Sequence, residues 1–350
     1  MDDIEVESSN NPRLRSFANW AQDSWNGKDT FEVDLYTIDD NLLIGNLTLG
    51  SPPTTVRVTF DTTTFTTWVT GYHCVYNNGV TCFAQMHKYD PTLSYTARYL
   101  NRTMELDYGD ATAKGEYVQE LMVFGNEMSS SFPMFCNIGV ANRLDTFFRM
   151  VLLAWPCHLT IKPASFSFCH AQIFRQPVFT VWLNSVLNTP IDIVAGTITF
   201  GRIDKRHCTK VFGVAKVGGQ PLWGVKIRNV TLNGYFIQRN INAILDMSSS
   251  HIFAPSEAMV KIRKVLKTND TQRIPCKTYL KMILHVNHTE LVMKNGNLMS
   301  VEDKKKYCSL DVRESVYDQD VWILGAVFFR RFCVVHNYLS HLVGFADHLE

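Results

Sequence analysis

Asp61 ends the apolar run Val58-Thr-Phe60 and is followed by Thr62-Thr-Thr64, and Asp246 ends Ala243-Ile-Leu245 and is followed by Met247-Ser-Ser249. Each is a carboxylate at the close of a strand-like segment with hydroxyl side chains just after it. A single element of this kind is also an ordinary turn, in which Asp and the following Thr or Ser satisfy backbone N–H groups. Two of them, at matching places in the two halves of a 350-residue chain, form a repeat, which is a signal at the level of the fold. Paired carboxylates have a particular chemistry. At a separation of about 3 Å they cannot both ionise, so one keeps a proton while the other takes one from an attacking water. The pattern points to general acid–base hydrolysis at a site to which two similar lobes each contribute one Asp.

The elements that must hold these carboxylates read as short β-rich runs punctuated by turns. Leu42–Leu49, the turn Gly50-Ser-Pro-Pro53 and Val56–Phe60 form a hairpin. Further strands are expected at 117–124, 178–183, 196–201, 223–232 and 283–286. The clearest helix is Ser256–Leu266, with apolar residues at helical spacing and Ser256 as its cap. Residues 1–34 are polar and read as an N-terminal tail or pro-segment remnant. The N-terminal lobe is then 35–184 and the C-terminal lobe 185–350. Many strands, few helices and a duplicated strand-to-Asp element predict a mainly β, bilobal protein with a cleft between its lobes.

Composition removes several alternatives. A hydrophobic content of 46% supplies a large core, and 34 basic against 33 acidic residues leave no net field for nucleic acid or an anionic membrane. No apolar run approaches the ~18 residues of a membrane span. The histidines show neither His-Glu-x-x-His nor Cys-x-x-Cys company, so no metal or other cofactor is expected, and His87, His251 and His336 read as surface or packed residues. Gly139 and Gly201 belong to no phosphate-cradling loop, and Ser129-Ser-Ser131 lacks the surroundings of a nucleophile elbow. Of nine cysteines, Cys74 and Cys82 bracket a short loop and Cys276 and Cys308 a longer polar excursion, spacings that suit disulfides. Sequons begin at Asn46, Asn101, Asn229, Asn269 and Asn287. Both features favour an oxidising, secretory-route compartment, secreted or lysosomal, although the N-terminal residues carry no signal-peptide pattern.

Taken in order, the motifs resemble those of a pepsin-family aspartic peptidase. They are Leu43-Ile-Gly-Asn-Leu-Thr-Leu-Gly-Ser-Pro52, Phe60-Asp-Thr62 with Trp68-Val69 beyond it, Leu106-Asp-Tyr-Gly109, Ala243-Ile-Leu-Asp246, and Trp322-Ile-Leu-Gly-Ala-Val-Phe-Phe-Arg330. The resemblance covers roughly residues 35 to 347. It implies a pepsin-like fold with Asp61 and Asp246 as the dyad, Tyr108 as the flap residue, and Trp68 as the indole donor to the Tyr108 hydroxyl. Thr62 would tie the two loops together, while Thr64 and Ser249 would hydrogen-bond each Asp from outside. Cys74–Cys82 and Cys276–Cys308 match the family's bridges, and Cys208 with Cys333 resembles an additional pair of nematode-type members. Cys136, Cys157 and Cys169 stay unassigned.

The chain also departs from that pattern. Thr63 and Ser248 stand where the family has glycine, and a Cβ in so tight a turn is expected to cost on the order of 1–3 kcal/mol and to push the carboxylates apart. Met247 replaces a threonine, removing half of the interlock between the loops. Phe148-Arg-Met-Val-Leu152 stands where the family carries Asp-Gly and, two apolar residues later, another glycine. In Tyr108-Gly-Asp-Ala111 an alanine replaces a flap-tip glycine, which is expected to stiffen it. Two functions follow. One is an acid-active endopeptidase of weakened activity, cleaving peptide or unfolded protein as a monomer. The other is a pepsin-fold protein that holds a peptide or protein partner in the cleft without hydrolysing it.

Overall fold

The computed structural model describes residues 30–38, 42–63, 66–82, 88–107, 112–124, 134–145, 151–154, 176–185, 193–218, 223–271, 273–303, 306–315 and 320–349. Strands dominate them. The first half carries β1 (Phe31–Ile38), β2 (Leu42–Leu49), β3 (Thr54–Asp61), β4 (Trp68–Tyr76), β5 (Arg98–Asp107), β6 (Thr112–Phe124), β7 (Met134–Leu144) and β8 (Val151–Ala154). Next come β9 (Val178–Leu183), β10 (Gly196–Phe200), β11 (Cys208–Lys216), β12 (Gly224–Leu232), β13 (Tyr235–Leu245) and β14 (Ile252–Ala254), then helix α1 (Ser256–Leu266). The chain continues through β15 (Ile274–Pro275), β16 (Lys281–Val286), β17 (Thr289–Lys294), α2 (Asn295–Leu298), β18 (Met299–Asp303), β19 (Tyr307–Leu310) and β20 (Val312–Glu314). It closes with β21 (Val321–Leu324), α3 (Ala326–Phe329), β22 (Cys333–Asn337) and β23 (Leu342–His348).

Pairing sorts the strands into two lobes and a shared platform. β2 to β8 pair among themselves, with β2 and β3 antiparallel as the hairpin pattern predicts. β12, β13, β14, β16, β17, β20 and β21 form a second sheet, and β15, β18 and β19 a third. Between them six strands lie in the order β11-β23-β22-β9-β10-β1, joining the two ends of the chain to its middle. β1 continues from this platform onto β2, so its residues Phe31–Leu35 pair with β10 and Tyr36–Ile38 with β2. β1 begins inside the segment read as a tail, because Phe31, Val33 and Leu35 alternate inward and are buried.

Aromatic rings tie the platform to both lobes. Phe31 stacks on Phe124 of β6, with centroids 5.0 Å apart, and lies 4.6 Å from Phe200. Phe179 in turn contacts Trp223 at 5.7 Å. Helix α1 spans the predicted residues, but its cap is Pro255 and Ser256 is the first helical residue, its side chain hydrogen-bonded with Glu314 instead. No helix among the described residues is long and apolar enough to cross a membrane.

Candidate active site

β3 delivers Asp61 at its last residue, and β13 delivers Asp246 immediately after its last residue, Leu245. Each strand has one antiparallel neighbour, β2 for β3 and β12 for β13, and one parallel neighbour. β8 pairs with β3 so that Ala154 lies opposite Asp61, and β21 pairs with β13 so that Leu324 lies opposite Leu245, one residue before Asp246. Continuing the second register by one residue places Gly325 beside Asp246, which makes Ala154 the first-lobe counterpart of Gly325. Leu152 lies opposite Thr59, two residues before that crossing. The bulky run sits two residues earlier, and the crossing itself carries a small residue.

A methyl group at Gly325 would lie 2.1 Å from the His251 carbonyl oxygen and 2.4 Å from that of Ser249. The Ala326 amide donates to the same Ser249 oxygen at 2.7 Å. The strand end thus clamps the loop that follows Asp246, and only glycine leaves room for it.

Asp61 and Asp246 are both buried, 5% and 7% exposed, although a carboxylate rarely is without partners. The partners come from their own loops. The Thr63 amide and Oγ1 each donate to Asp61 Oδ1 at 2.6 Å. The Ser248 amide donates to Asp246 Oδ1 at 3.0 Å and Ser248 Oγ at 2.6 Å. Ser249 Oγ donates to Asp246 Oδ2 at 2.5 Å, the outer contact expected of it. Thr64, its expected counterpart on Asp61, lies outside the described residues.

Neither Thr63 nor Ser248 is among the residues with positive φ, so no left-handed strain is stored at either loop. Each keeps the amide contact that a glycine would give and adds a hydroxyl donor to the same carboxylate oxygen. The same device in both lobes supports the repeat read from the sequence. The signal was present there, since Asp followed two residues later by Thr or Ser is a turn pattern in which the hydroxyl returns to the carboxylate.

Among the described residues one strut crosses between the loops. Thr62 Oγ1 donates to the Leu245 carbonyl at 2.6 Å, joining the residue after Asp61 to the residue before Asp246. Met247, at the matching place in the second loop, is buried and has no hydroxyl to return the contact. The two carboxylates sense each other. Burial first, and the charge of Asp246 second, push the Asp61 carboxyl up to about 7 against the opposing pull of the Thr63 hydrogen bonds. Asp61 is therefore the member of the pair biased toward its protonated form.

Trp68 is fully buried with Cys74, Tyr76, Cys82, Met104, Ala113, Ala141 and Leu144 beneath the β5–β6 hairpin. It lies opposite Gly139 of β7, where a Cβ would come 2.1 Å from Met104 Sδ and 3.0 Å from Trp68 Cβ. Gly139 thus makes room first for Met104 and then for Trp68, and is a supporting residue to which the sequence pattern assigns no role. The hairpin's last pair before its turn is Asp107 with Thr112, and Asp145 fixes that end by accepting from the Thr112 amide at 2.6 Å and from Thr112 Oγ1 at 2.7 Å. Tyr108 and Ala111 lie outside the described residues.

The bridges Cys74–Cys82, Cys276–Cys308 and Cys208–Cys333 are all formed. Cys136 is also disulfide-bonded, and Cys157 and Cys169 lie outside the described residues. His251 is partly buried, with Nδ1 2.7 Å from Ser250 Oγ, and His336 is fully packed, while His87 is outside the described residues. No group of three metal-ligating side chains occurs among the described residues.

A family profile described as eukaryotic aspartyl protease matches residues 43–348. Aspartic protease 17 of Caenorhabditis elegans is 24% identical over 344 residues, covering 91% of this chain and 86% of that protein. Pregnancy-associated glycoprotein 2 of Bos taurus is 24% identical, covering 88% and 82%. Cathepsin E-B of Xenopus laevis is 23% identical, covering 93% and 84%.

Proposed function

The chain belongs to the eukaryotic aspartyl protease family, and from that premise we propose that it hydrolyses peptide bonds with Asp61 and Asp246 as its catalytic dyad. The observation that carries the assignment is the buried pair itself, in which the charge of one carboxyl helps to keep the other protonated. Asp61 carries the shared proton and donates it toward the scissile carbonyl oxygen. Asp246, which accepts hydrogen bonds from Ser248 and Ser249, takes a proton from the attacking water. The gem-diol intermediate then collapses: Asp246 passes its proton to the leaving amine as the C–N bond breaks, and Asp61 recovers a proton from a gem-diol hydroxyl as the carbonyl re-forms.

Tyr108, in the four residues joining β5 to β6, is assigned to the flap that closes over an extended peptide, with Trp68 behind it. The lobes divide near residue 184, and both carboxylates come from one chain, so the enzyme acts as a monomer. The disulfides fit a secreted or lysosomal setting. Turnover is slower than a fully interlocked dyad allows, because one strut holds the loops where two would fix them. A displacement of about 1 Å at a preorganised site costs ~100-fold in rate.

The test is cleavage of an unfolded protein between about pH 3 and pH 6 by the folded chain, with Asp246→Asn as control. Slow cleavage that disappears in the variant is the expected result. If the folded chain binds peptide in the cleft, equally well with and without Asp246→Asn, and cleaves nothing, the site is a peptide-holding cleft and the dyad assignment fails. The loss of the second strut at Met247 is the feature that favours this second reading.

A further inference from the structure

We propose that Asn101 and Asn269 are the N-glycan acceptors of this chain, and that Asn46, Asn229 and Asn287 stay bare. All five begin an Asn-x-Thr sequon, so sequence alone does not separate them. The fold does, because a glycan must leave the carboxamide into solvent, and an Asn whose amide is buried or already engaged has no exit for it.

Asn101 is exposed and lies in the left-handed region at φ 51°, inside an irregularity of the β5–β6 ladder. Pairing passes from Tyr99 opposite Val118 to Thr103 opposite Glu116, so residues 100–102 face the single residue Tyr117 and bulge from the sheet. Thr103, which completes the sequon, is exposed as well. Asn269 is exposed in the turn after α1, at the tip of a loop closed by Thr268 Oγ1 donating to the Asp270 carbonyl at 2.9 Å.

The other three are closed off in different ways. Asn46 is half-buried within the β2–β3 ladder opposite Arg57, and its Thr48 is buried with Oγ1 3.3 Å from Thr55 Oγ1. Asn229 lies in β12 between Arg239 of β13 and His285 of β16, with its Oδ1 buried. Asn287 is on an exposed hairpin, but its Nδ2 donates to the Val214 carbonyl at 2.8 Å. The Thr289 of that sequon fills the space where a Cβ on Gly213 would come within 2.6 Å. A sugar on Nδ2 of Asn287 would enter the seam between this hairpin and β11.

In the modification, Nδ2 gives up one proton and bonds to C1 of the first N-acetylglucosamine of a polyprenyl-diphosphate-linked oligosaccharide. The C1–O bond to the diphosphate breaks, and the diphosphate leaves with the bonding pair. The proposal rests on the secretory-route reading, since only there does a chain meet that donor. Asn101 is six residues before the end of β5, about 20 Å along the strand. A glycan there stands at the base of the hairpin and leaves the cleft mouth open, so removing it leaves cleavage unchanged.

The experiment directs the full chain into the secretory pathway of a eukaryotic host with a cleavable leader and reads the folded, secreted product. Peptide-N-glycosidase should give two mobility steps, with mass mapping placing them at Asn101 and Asn269. Asn101→Gln and Asn269→Gln should each remove one step, and Asn46→Gln, Asn229→Gln and Asn287→Gln none. Lys28→Thr, which completes a sequon at Asn26, supplies an independent acceptor. A glycan at Asn46, Asn229 or Asn287, or bare Asn101 or Asn269 beside a modified Asn26, overturns the proposal. The native protein, immunopurified from its own cells, tests the compartment separately. If it is bare while the directed chain carries both glycans, the secretory reading falls and the sorting of the five sites stands.

Discussion

At the scale of single residues, Thr63 and Ser248 replace conformational freedom with a hydrogen bond. Returning both to glycine relieves no strain, since neither has a positive φ, and removes one hydroxyl donor from each carboxylate. Thr63→Gly should therefore raise the Asp61 pKa above its value of about 7, because the Thr63 hydroxyl holds it down. Activity is lost as pH rises through the Asp61 pKa, so the alkaline limb of the pH–rate profile should move to higher pH in this variant. An unmoved limb would show that Asp61 does not hold the shared proton. The same pKa governs stability, with a sign that can be followed. An unfolded Asp ionises near 3.8 and the folded Asp61 near 7, so the folded form holds the extra proton between those values and stability falls as pH rises across them. Asp61→Asn removes that penalty. Its melting temperature should match the parent near pH 3.5 and exceed it by several degrees at pH 8, a comparison of melting curves that needs no turnover.

At the scale of elements, the dyad is held by strand ends and by what crosses between them. Thr62→Val removes the single strut and leaves the buried Leu245 carbonyl without that donor, at a cost of about 1–3 kcal/mol and a ~10- to 100-fold fall in kcat. Met247→Thr supplies a hydroxyl at the matching place. It should raise kcat while lowering stability by about 1–3 kcal/mol, because a buried thioether is exchanged for a smaller polar group. A loss of both would place the cause of slow turnover elsewhere. Gly325→Ala drives a methyl group into the Ser249 and His251 carbonyls and should detach Ser249 from Asp246, with loss of activity and of several kcal/mol of stability. Much of this was legible in the sequence. The two Asp loops were, because the pattern is local and occurs twice, and so were three bridges, because their cysteines stand in familiar motifs. The β3–β8 register was not. A shift of two residues keeps every side chain on the same face, so an apolar run such as Val151–Ala154 gives no phase to read. Ser256 showed the limit for caps, since Pro255 before it takes that place and Glu314, distant in sequence, holds its side chain.

At the scale of the whole molecule, the six-strand platform is the part the sequence concealed, because β1 meets β10 and β22 meets β9 across long separations that local patterns do not encode. At the centre of that platform is His336 in β22, fully buried. Its ring lies parallel to Phe179 at 4.3 Å and close to parallel with Phe329 at 6.3 Å, and Trp223 meets it edge-on at 4.7 Å. No opposite charge is among these neighbours, and burial pushes the imidazole down to about 3. An unfolded histidine takes its proton near 6.5. The unfolded chain therefore binds the extra proton between pH 6.5 and 3, and stability falls as pH falls across that window, by on the order of 3–5 kcal/mol at its end. Asp61 penalises the fold toward neutral pH and His336 toward strong acid, so the peptidase should be most stable between the two, in mild acid. His336→Phe keeps an aromatic ring between Phe179 and Phe329 and removes the titrating group. Its melting temperature relative to the parent should rise steadily below pH 6, by roughly 5 °C at pH 3. Parallel curves for the two proteins from pH 7 to pH 3 would show that the platform does not set the acid limit. In that case the acid lability would belong to carboxylates in surface ion pairs, such as Glu314 beside Arg263, whose pKa its hydrogen bonds with Ser256 and Arg263 hold down, and added salt would reduce it.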